Sequence, residues 1–201
     1  MSKFHDRFFA KAGGLKPVSD GNILISNPFL AEKWFCHSAI FMLHAPDDHG
    51  AMGLVLNKQI DCTLKDIDTV CNTTRAVPLY CGGPVGHDEL HFIHTLGPEI
   101  IAEAQEIIPG VYVDGKYSDA IDYVEQGYET DGFIRFFVGY SGWDAGQLQQ
   151  ELTDNTWAVT AVEDNAQLLT GHGDEYWHRL VRSLGISFRS WRVVPQNPLN
   201  N

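Results

Sequence analysis

FIRFFVGYSGWDAGQLQQEL, residues 133–152, carries the chain from a strand pattern into a helix pattern. Phe133 to Tyr140 is rich in aromatic and β-branched residues and reads as a strand. Leu148 and Leu152 are four apart, with Ala145 extending the same stripe, so Gly142 to Thr153 reads as a helix with one buried face. Gln147 and Glu151, also four apart, share its polar face. Between the two lies Gly139-Tyr140-Ser141-Gly142-Trp143. A serine nucleophile elbow is G-x-S-x-G on a sharp strand-to-helix turn. Here the second glycine falls one position early, and Trp143 stands where a small residue should. A capping explanation covers the same residues. Ser141 with Asp144 three later is a capping box, and Asp144 with Gln147 is a second one a turn further on. The segment is therefore expected to be a capped turn, and Ser141 is not expected to be a nucleophile.

Working outward, Asn22 to Ser26 reads as a strand stopped by Asn27-Pro28. Ser38 to His44 is a nearly continuous apolar run, as in a strand covered on both faces. Ala51 to Asn57 is a third strand, and Val77 to Cys81 and Leu90 to Thr95 two more, joined by a loop from Gly82 to Asp88. Thr63-Leu64-Lys65-Asp66 has capping-box form and opens a short helix. Ser118 to Gln126 reads as a helix stopped by Gly127, Thr156 to Val162 as a strand, and Asp174 to Leu184 as a helix closed by Gly185. Strands dominate, helices are interspersed, and the order is not a regular βαβ alternation. The expectation is an α/β (α+β) single domain built on one main sheet or barrel covered by helices. Residues 1–20 are read as an N-terminal arm that docks through Phe4, Phe8 and Phe9. Residues 21–190 are the domain, and 191–201 a tail that frays from Pro195 onward.

Charge and cysteine usage narrow the function classes. Acidic residues outnumber basic ones 26 to 14, for a formal net charge of −12. Nucleic-acid affinity comes mostly from neutralising phosphates, so a chain this acidic needs a concentrated basic patch to bind DNA. Arg179, Arg182, Arg189 and Arg192 are the nearest approach to one. Arg179 and Arg182 share a helix face, and they are read as solvated charges. Direct DNA binding is not expected. The N-terminal residues lack an apolar signal core, and no apolar run approaches a bilayer span, so no membrane partner is expected and the protein is read as cytoplasmic. Its four cysteines, Cys36, Cys62, Cys71 and Cys81, are then reduced, and no C-x-x-C pair supports a zinc or thioredoxin-type site. Cys81 is read as a buried, inert thiol.

No nucleotide-binding glycine motif is present. The histidines offer weak metal arguments. His91 and His94 would point to opposite faces of a strand, whereas His87, Glu89 and His91 would share one. His172 and His178 are read as surface histidines, and His44 and His94 as hydrogen-bonded core histidines. No metal, no cofactor and no catalytic residue is assigned. The alternative to scaffold glycines is a shared pocket. Gly82, Gly83 and Pro84 would meet Tyr140, Ser141, Gly142 and Trp143, with Tyr140 and Trp143 as flat walls. The helix N-terminus would face an anion, and Asn57, Gln147 and Glu151 would orient a ligand.

Gly139 to Trp143 followed by Gly146-Gln147-Leu148 and Glu151-Leu152 resembles the signature of the bacterial AlgH/YqgE family. Gly21 to Pro28 resembles that family's opening strand, and Gly50 to Asn57 its glycine-rich strand ending in asparagine. Tyr80 to Val85 resembles its G-G-P-V turn, and Phe92-Ile93-His94 the strand after it. The blocks are in the family's order and span roughly residues 20 to 185. The resemblance implies one α/β domain with a bifurcated mixed sheet, partly closed as a small barrel and surrounded by helices. It implies no known activity, since members are labelled uncharacterised or transcriptional regulators. The family often has alanine where this chain has Ser141. It tends to have a basic residue and then proline after the asparagine, where this chain has Lys58-Gln59. The expected function is a non-catalytic binding or regulatory protein working through an unknown small ligand or protein partner. A hydrolase or transferase using the pocket of Asn57, Tyr140, Ser141, Gln147 and Glu151 is the alternative. A regulator binding DNA directly comes third, and the oligomeric state is left open.

Overall fold

The computed structural model describes residues 17–67 and 73–193. Cys71, most of the expected N-terminal arm with Phe4, Phe8 and Phe9, and the end of the expected tail lie outside them. Ten strands run in chain order: β1 (Ile23–Ser26), β2 (Ala39–Asp47), β3 (Gly50–Val55), β4 (Gln59–Thr63), β5 (Pro78–Cys81), β6 (Val85–His94), β7 (Gln105–Ile108), β8 (Val111–Val113), β9 (Ile134–Trp143) and β10 (Trp157–Thr160). Among the described residues four α-helices accompany them: α1 (Tyr117–Glu125), α2 (Gln147–Thr153), α3 (Asn165–Leu168) and α4 (Gly173–Ser183). Leu64–Asp66 and Ile186–Val193 are 3₁₀ segments. Thr63 donates from its N–H (2.8 Å) and its hydroxyl (2.6 Å) to the Asp66 carboxylate, so the start signal there is realised.

The principal strand order is β10-β1-β2-β3-β9-β6-β8-β7, with β5 also on β9 and β4 on β5. All pairs are antiparallel except β5 with β9, so the sheet is mixed. β9 is the fork. Its N-terminal half pairs with β5 through Phe136, Phe137 and Val138, and its C-terminal half with β3 through Ser141, Gly142 and Trp143. β6 lies along its other edge. The bifurcated sheet is present, but hydrogen bonds do not close it as a barrel. The outer strands β10 and β7 do not pair with each other. Side chains bring the two arms together instead. Ile23 and Ala158 on one arm share a buried cluster with Val111 and Val113 on the other, and Ile107 and Ile108 pack against it.

Two expectations change around residues 133–152. The strand continues to Trp143, through the whole glycine segment, because Ala51–Gly53 supplies it with a partner strand. The helix therefore starts later, at Gln147, and Ala145 is exposed rather than part of its buried face. Leu148 and Leu152 are buried as the spacing predicts. Gly146 in a left-handed conformation opens the helix. Gln147 Oε1 accepts from the Asp144 N–H at 3.0 Å, which realises the returning half of the second capping box. At the other end, Trp191 is buried against the main cluster, so the packed body reaches into the segment read as a tail.

Candidate functional site

The two glycine segments do meet, as backbone against backbone. A Cβ added at Gly82 would sit 2.1 Å from the Gly139 carbonyl oxygen, and one at Gly83 would sit 2.2 Å from the Tyr140 carbonyl. No side chain fits such an approach. Pro84 is half-buried beside them and Gly142 is exposed. Ser141 is fully buried, and its hydroxyl donates to the Gly82 carbonyl at 3.0 Å. Tyr140 and Trp143 are three apart in a strand and so face opposite ways. Tyr140 packs against the cluster holding Tyr80 and Phe137, and Trp143 lies in a separate one with Leu148 and Trp157. They do not wall one pocket. Glu151 Oε2 accepts from the indole N–H groups of Trp143 (2.8 Å) and Trp157 (2.7 Å), and its Oε1 accepts from Gln147 (2.8 Å). These side chains staple α2 onto the sheet. Burial raises the Cys81 thiol pKa, consistent with an unreactive cysteine.

Asn57 lies elsewhere in this scheme. Its Oδ1 accepts from the Ala39 N–H at 3.0 Å, while its Nδ2 donates to the carbonyls of His37 and Gly173, each at 2.9 Å. The Gly173 N–H returns a bond to the Asn57 carbonyl at 2.7 Å. Asn57 thus clamps the 37–39 segment to the first residue of α4. Arg135 reinforces the same corner. It is buried, lies over the Tyr80 ring at 4.2 Å, and donates to the carbonyls of Leu56 (2.7 Å), Leu169 and Gly171 (2.9 Å).

The clamp brings His37 onto Asp174. His37 Nδ1 is hydrogen-bonded to Asp174 Oδ1, and His178 Nε2 lies 3.2 Å from Asp174 Oδ2. The donor atoms of these three residues lie within 4.8 Å of one another, the one such group of three among the described residues. His37 is fully buried, its ring stacked on Trp177 at 3.9 Å, and its φ is 46°. A non-glycine residue in that region is uncommon and marks a conformation imposed by its surroundings. Burial lowers the His37 pKa, and the bond to Asp174 offsets part of that. Lys58 donates to the Cys36 carbonyl nearby, and burial lowers its pKa too.

The exposed side of α4 borders a cleft of about 620 Å³, lined by His172, Glu175, His178, Arg179, Arg182 and Arg192 among others. Arg179 lies over Tyr176 at 4.5 Å and donates to the carbonyls of Gln167 (3.0 Å) and Thr170 (2.9 Å). Arg192 donates to the Arg182 carbonyl at 3.1 Å, and its Nε is buried with no hydrogen-bond partner among the described residues.

Sequence reasoning missed this corner. His178 is half-buried and pairs with Asp174 rather than standing free on the surface. The spacing of Asp174 and His178 on a helix was a visible signal; the approach of His37 was not. The other histidines divide. His94 is a core histidine, bonded to the Asp114 carbonyl at 3.2 Å, but His44 is exposed and bonds to Asp47. Glu89 lies 3.6 Å from His91 Nε2, but His87 does not join them as a third ligand. The His87 ring lies beside Trp34, and His91 Nδ1 bonds to Asp114 at 3.0 Å.

Fold and site together define an open, forked α/β sheet whose first asparagine-ended hairpin is clamped to a C-terminal helix. This chain belongs to the AlgH-like family, whose model matches residues 23–189. It is 38% identical over 196 residues to a UPF0301 protein of Bacteroides thetaiotaomicron, covering 98% of this chain and 97% of that one. It is 35% identical over 201 residues to one from Parabacteroides distasonis, covering all of both. The solution structure of the AlgH protein from Pseudomonas aeruginosa superposes with a TM-score of 0.65 at 25% identity, covering 86% of this chain and 94% of that one. A crystal structure of a Corynebacterium diphtheriae protein shares the fold with a TM-score of 0.75 at 18% identity, covering 94% and 99%. No helix among the described residues is long and apolar enough to cross a membrane.

Proposed function

We propose that this chain is a cytoplasmic, non-catalytic binding protein that takes a small anion into the arginine cleft beside α4. One observation carries the reading: Arg179, Arg182 and Arg192 line a single concave site together with His172 and His178, against one carboxylate, Glu175. The chain as a whole has 14 basic residues and a net charge of −12. Gathering like charges costs repulsion that a bound anion relieves. Guanidinium forks match carboxylate and phosphate oxygens in geometry as well as charge. Carbonyl bonds hold Arg179 and Arg192 in place before a ligand arrives, so less side-chain entropy is lost on binding. A regulatory role would then run through the liganded state and a protein partner, not through direct contact with DNA. Catalysis through Ser141 has nothing in its favour, since that hydroxyl is buried and spent on the Gly82 carbonyl.

Thermal-shift titration of the metal-free protein with pyrophosphate and with citrate tests the proposal. A ligand present at a hundred times its Kd adds about 2.7 kcal/mol of stability, which is readily seen. The wild type should be stabilised by at least one of the two anions, and the Arg182→Ala, Arg192→Ala double variant should not. Equal stabilisation of both proteins, or of neither, would sink the reading.

A further inference from the structure

We propose that His37, Asp174 and His178 form a binding site for a divalent first-row transition metal, with Zn²⁺ or Co²⁺ the suitable probes. The inference does not depend on the anion cleft, although His178 borders both.

Two imidazoles and one carboxylate are a donor set that such ions accept, and three protein ligands leave a coordination position for water or a ligand. Metal–donor bonds of about 2.0–2.1 Å in a tetrahedron put the donors about 3.3 Å apart. The Asp174 Oδ2 to His178 Nε2 separation of 3.2 Å already matches such an edge. His37 and Asp174 are closer than that, so this pair would open slightly around an ion.

The supports of the three residues point the same way. Asp174 and His178 are four apart on α4 and need no rearrangement to act together. His37 reaches them from 137 residues away in sequence. Its placement is costly: a left-handed backbone at φ 46° and complete burial. The surroundings over-determine the position. Trp177 lies flat against the ring, 3° from parallel, and Asn57 holds the His37 carbonyl. Such strain, held from several sides, is typical of sites that bind something. Lys58 is the one cationic side chain that acts on both His37 and Asp174, and it opposes a metal.

The test uses full-length protein stripped with a chelator. Zn²⁺ titration by calorimetry should give one site per chain, and Co²⁺ should give visible absorption bands of a low-coordinate complex. Asp174→Asn and His178→Ala should each weaken binding by about tenfold or more. His44→Ala should leave it unchanged, which separates the site from the exposed His44–Asp47 pair. Lys58→Met, which keeps the stem and removes the opposing charge, should tighten binding. A readout without variants guards against misfolding: Co²⁺ should shift and broaden the ring proton signals of His37 and His178 before those of His91 and His94. Binding undiminished in folded Asp174→Asn and His178→Ala would overturn the site. So would first broadening at other histidines, or no binding at micromolar to millimolar Zn²⁺.

Discussion

The C-terminal half of β9 and the first turn of α4 are built from the same kinds of residue to opposite ends. Residues 139–143 hold two glycines, a serine and two aromatics, and look like a site in sequence. In the fold they form the C-terminal half of β9, with Ser141 bonded to the Gly82 carbonyl and the Trp143 indole bonded to Glu151. Their polar groups serve closure of the fork. Residues 172–178 look like an ordinary helix start. There His37, Asp174 and His178 bring three metal-ligating donor atoms within 4.8 Å of one another, and Arg192 lines the neighbouring cleft. The difference teaches where to look in this fold. Glycines mark where backbones touch, and converging donor atoms and cations mark where something else can bind.

The comparison breaks most easily at Gly82. Gly82→Ala drives a Cβ to 2.1 Å from the Gly139 carbonyl oxygen and 2.7 Å from Leu54, so β9 and the β5–β6 link must separate. Urea unfolding should show a loss of about 3 kcal/mol or more, as for overpacked cores. A loss below about 1 kcal/mol would mean that the two segments are loosely joined, and would reopen a pocket between them.

Ser141→Ala should cost about 1 kcal/mol, the net worth of one buried hydrogen bond. The Gly82 carbonyl keeps the Val55 N–H at 2.9 Å, so it is not orphaned. Anion stabilisation of the Ser141→Ala protein should match the wild type. A change in anion binding without a change in stability would move the site back to the glycine segment.

The smallest effect is a pH signature on β6. The Asp114 carboxylate raises the His91 pKa, while burial lowers that of His94 three residues on. His91 therefore adds stability that is fully present below the unfolded histidine pKa, about 6.5, and is lost as pH rises through its higher folded value. His94 contributes stability present above about 6.5 and lost as pH falls through its lower folded value. Ring-proton titration by NMR should place the two midpoints on opposite sides of 6.5. Coincident midpoints would contradict the separate environments.

Much of the fold was legible. Period and composition found β1, β2, β3, β5, β10, α1 and α4 close to their observed bounds, and the end of α2. Thr63 with Asp66 announced its own cap, because a capping box is completed within four residues. The short strands β4, β7 and β8 were missed, as they are too brief to show a period. The start of α2 was set too early because local capping signals at Ser141 lost to strand pairing with Ala51–Gly53. Of the candidate site residues, Asn57 was read as orienting a ligand, and its amide is instead bonded to backbone groups. Its role as a clamp was not readable, since its partners are Ala39, His37 and Gly173.

By itself the sequence determined the family, the α/β class and the absence of a G-x-S-x-G elbow. Each of these is written in neighbouring residues or in fixed spacings of two and of three to four. The tertiary structure alone decided that β9 forks, that the sheet is closed by side chains instead of hydrogen bonds, and that His37 meets Asp174 and His178. Those outcomes depend on how long-range strand pairing and burial are satisfied together. A contact between residues 137 positions apart leaves no trace in the local pattern of either.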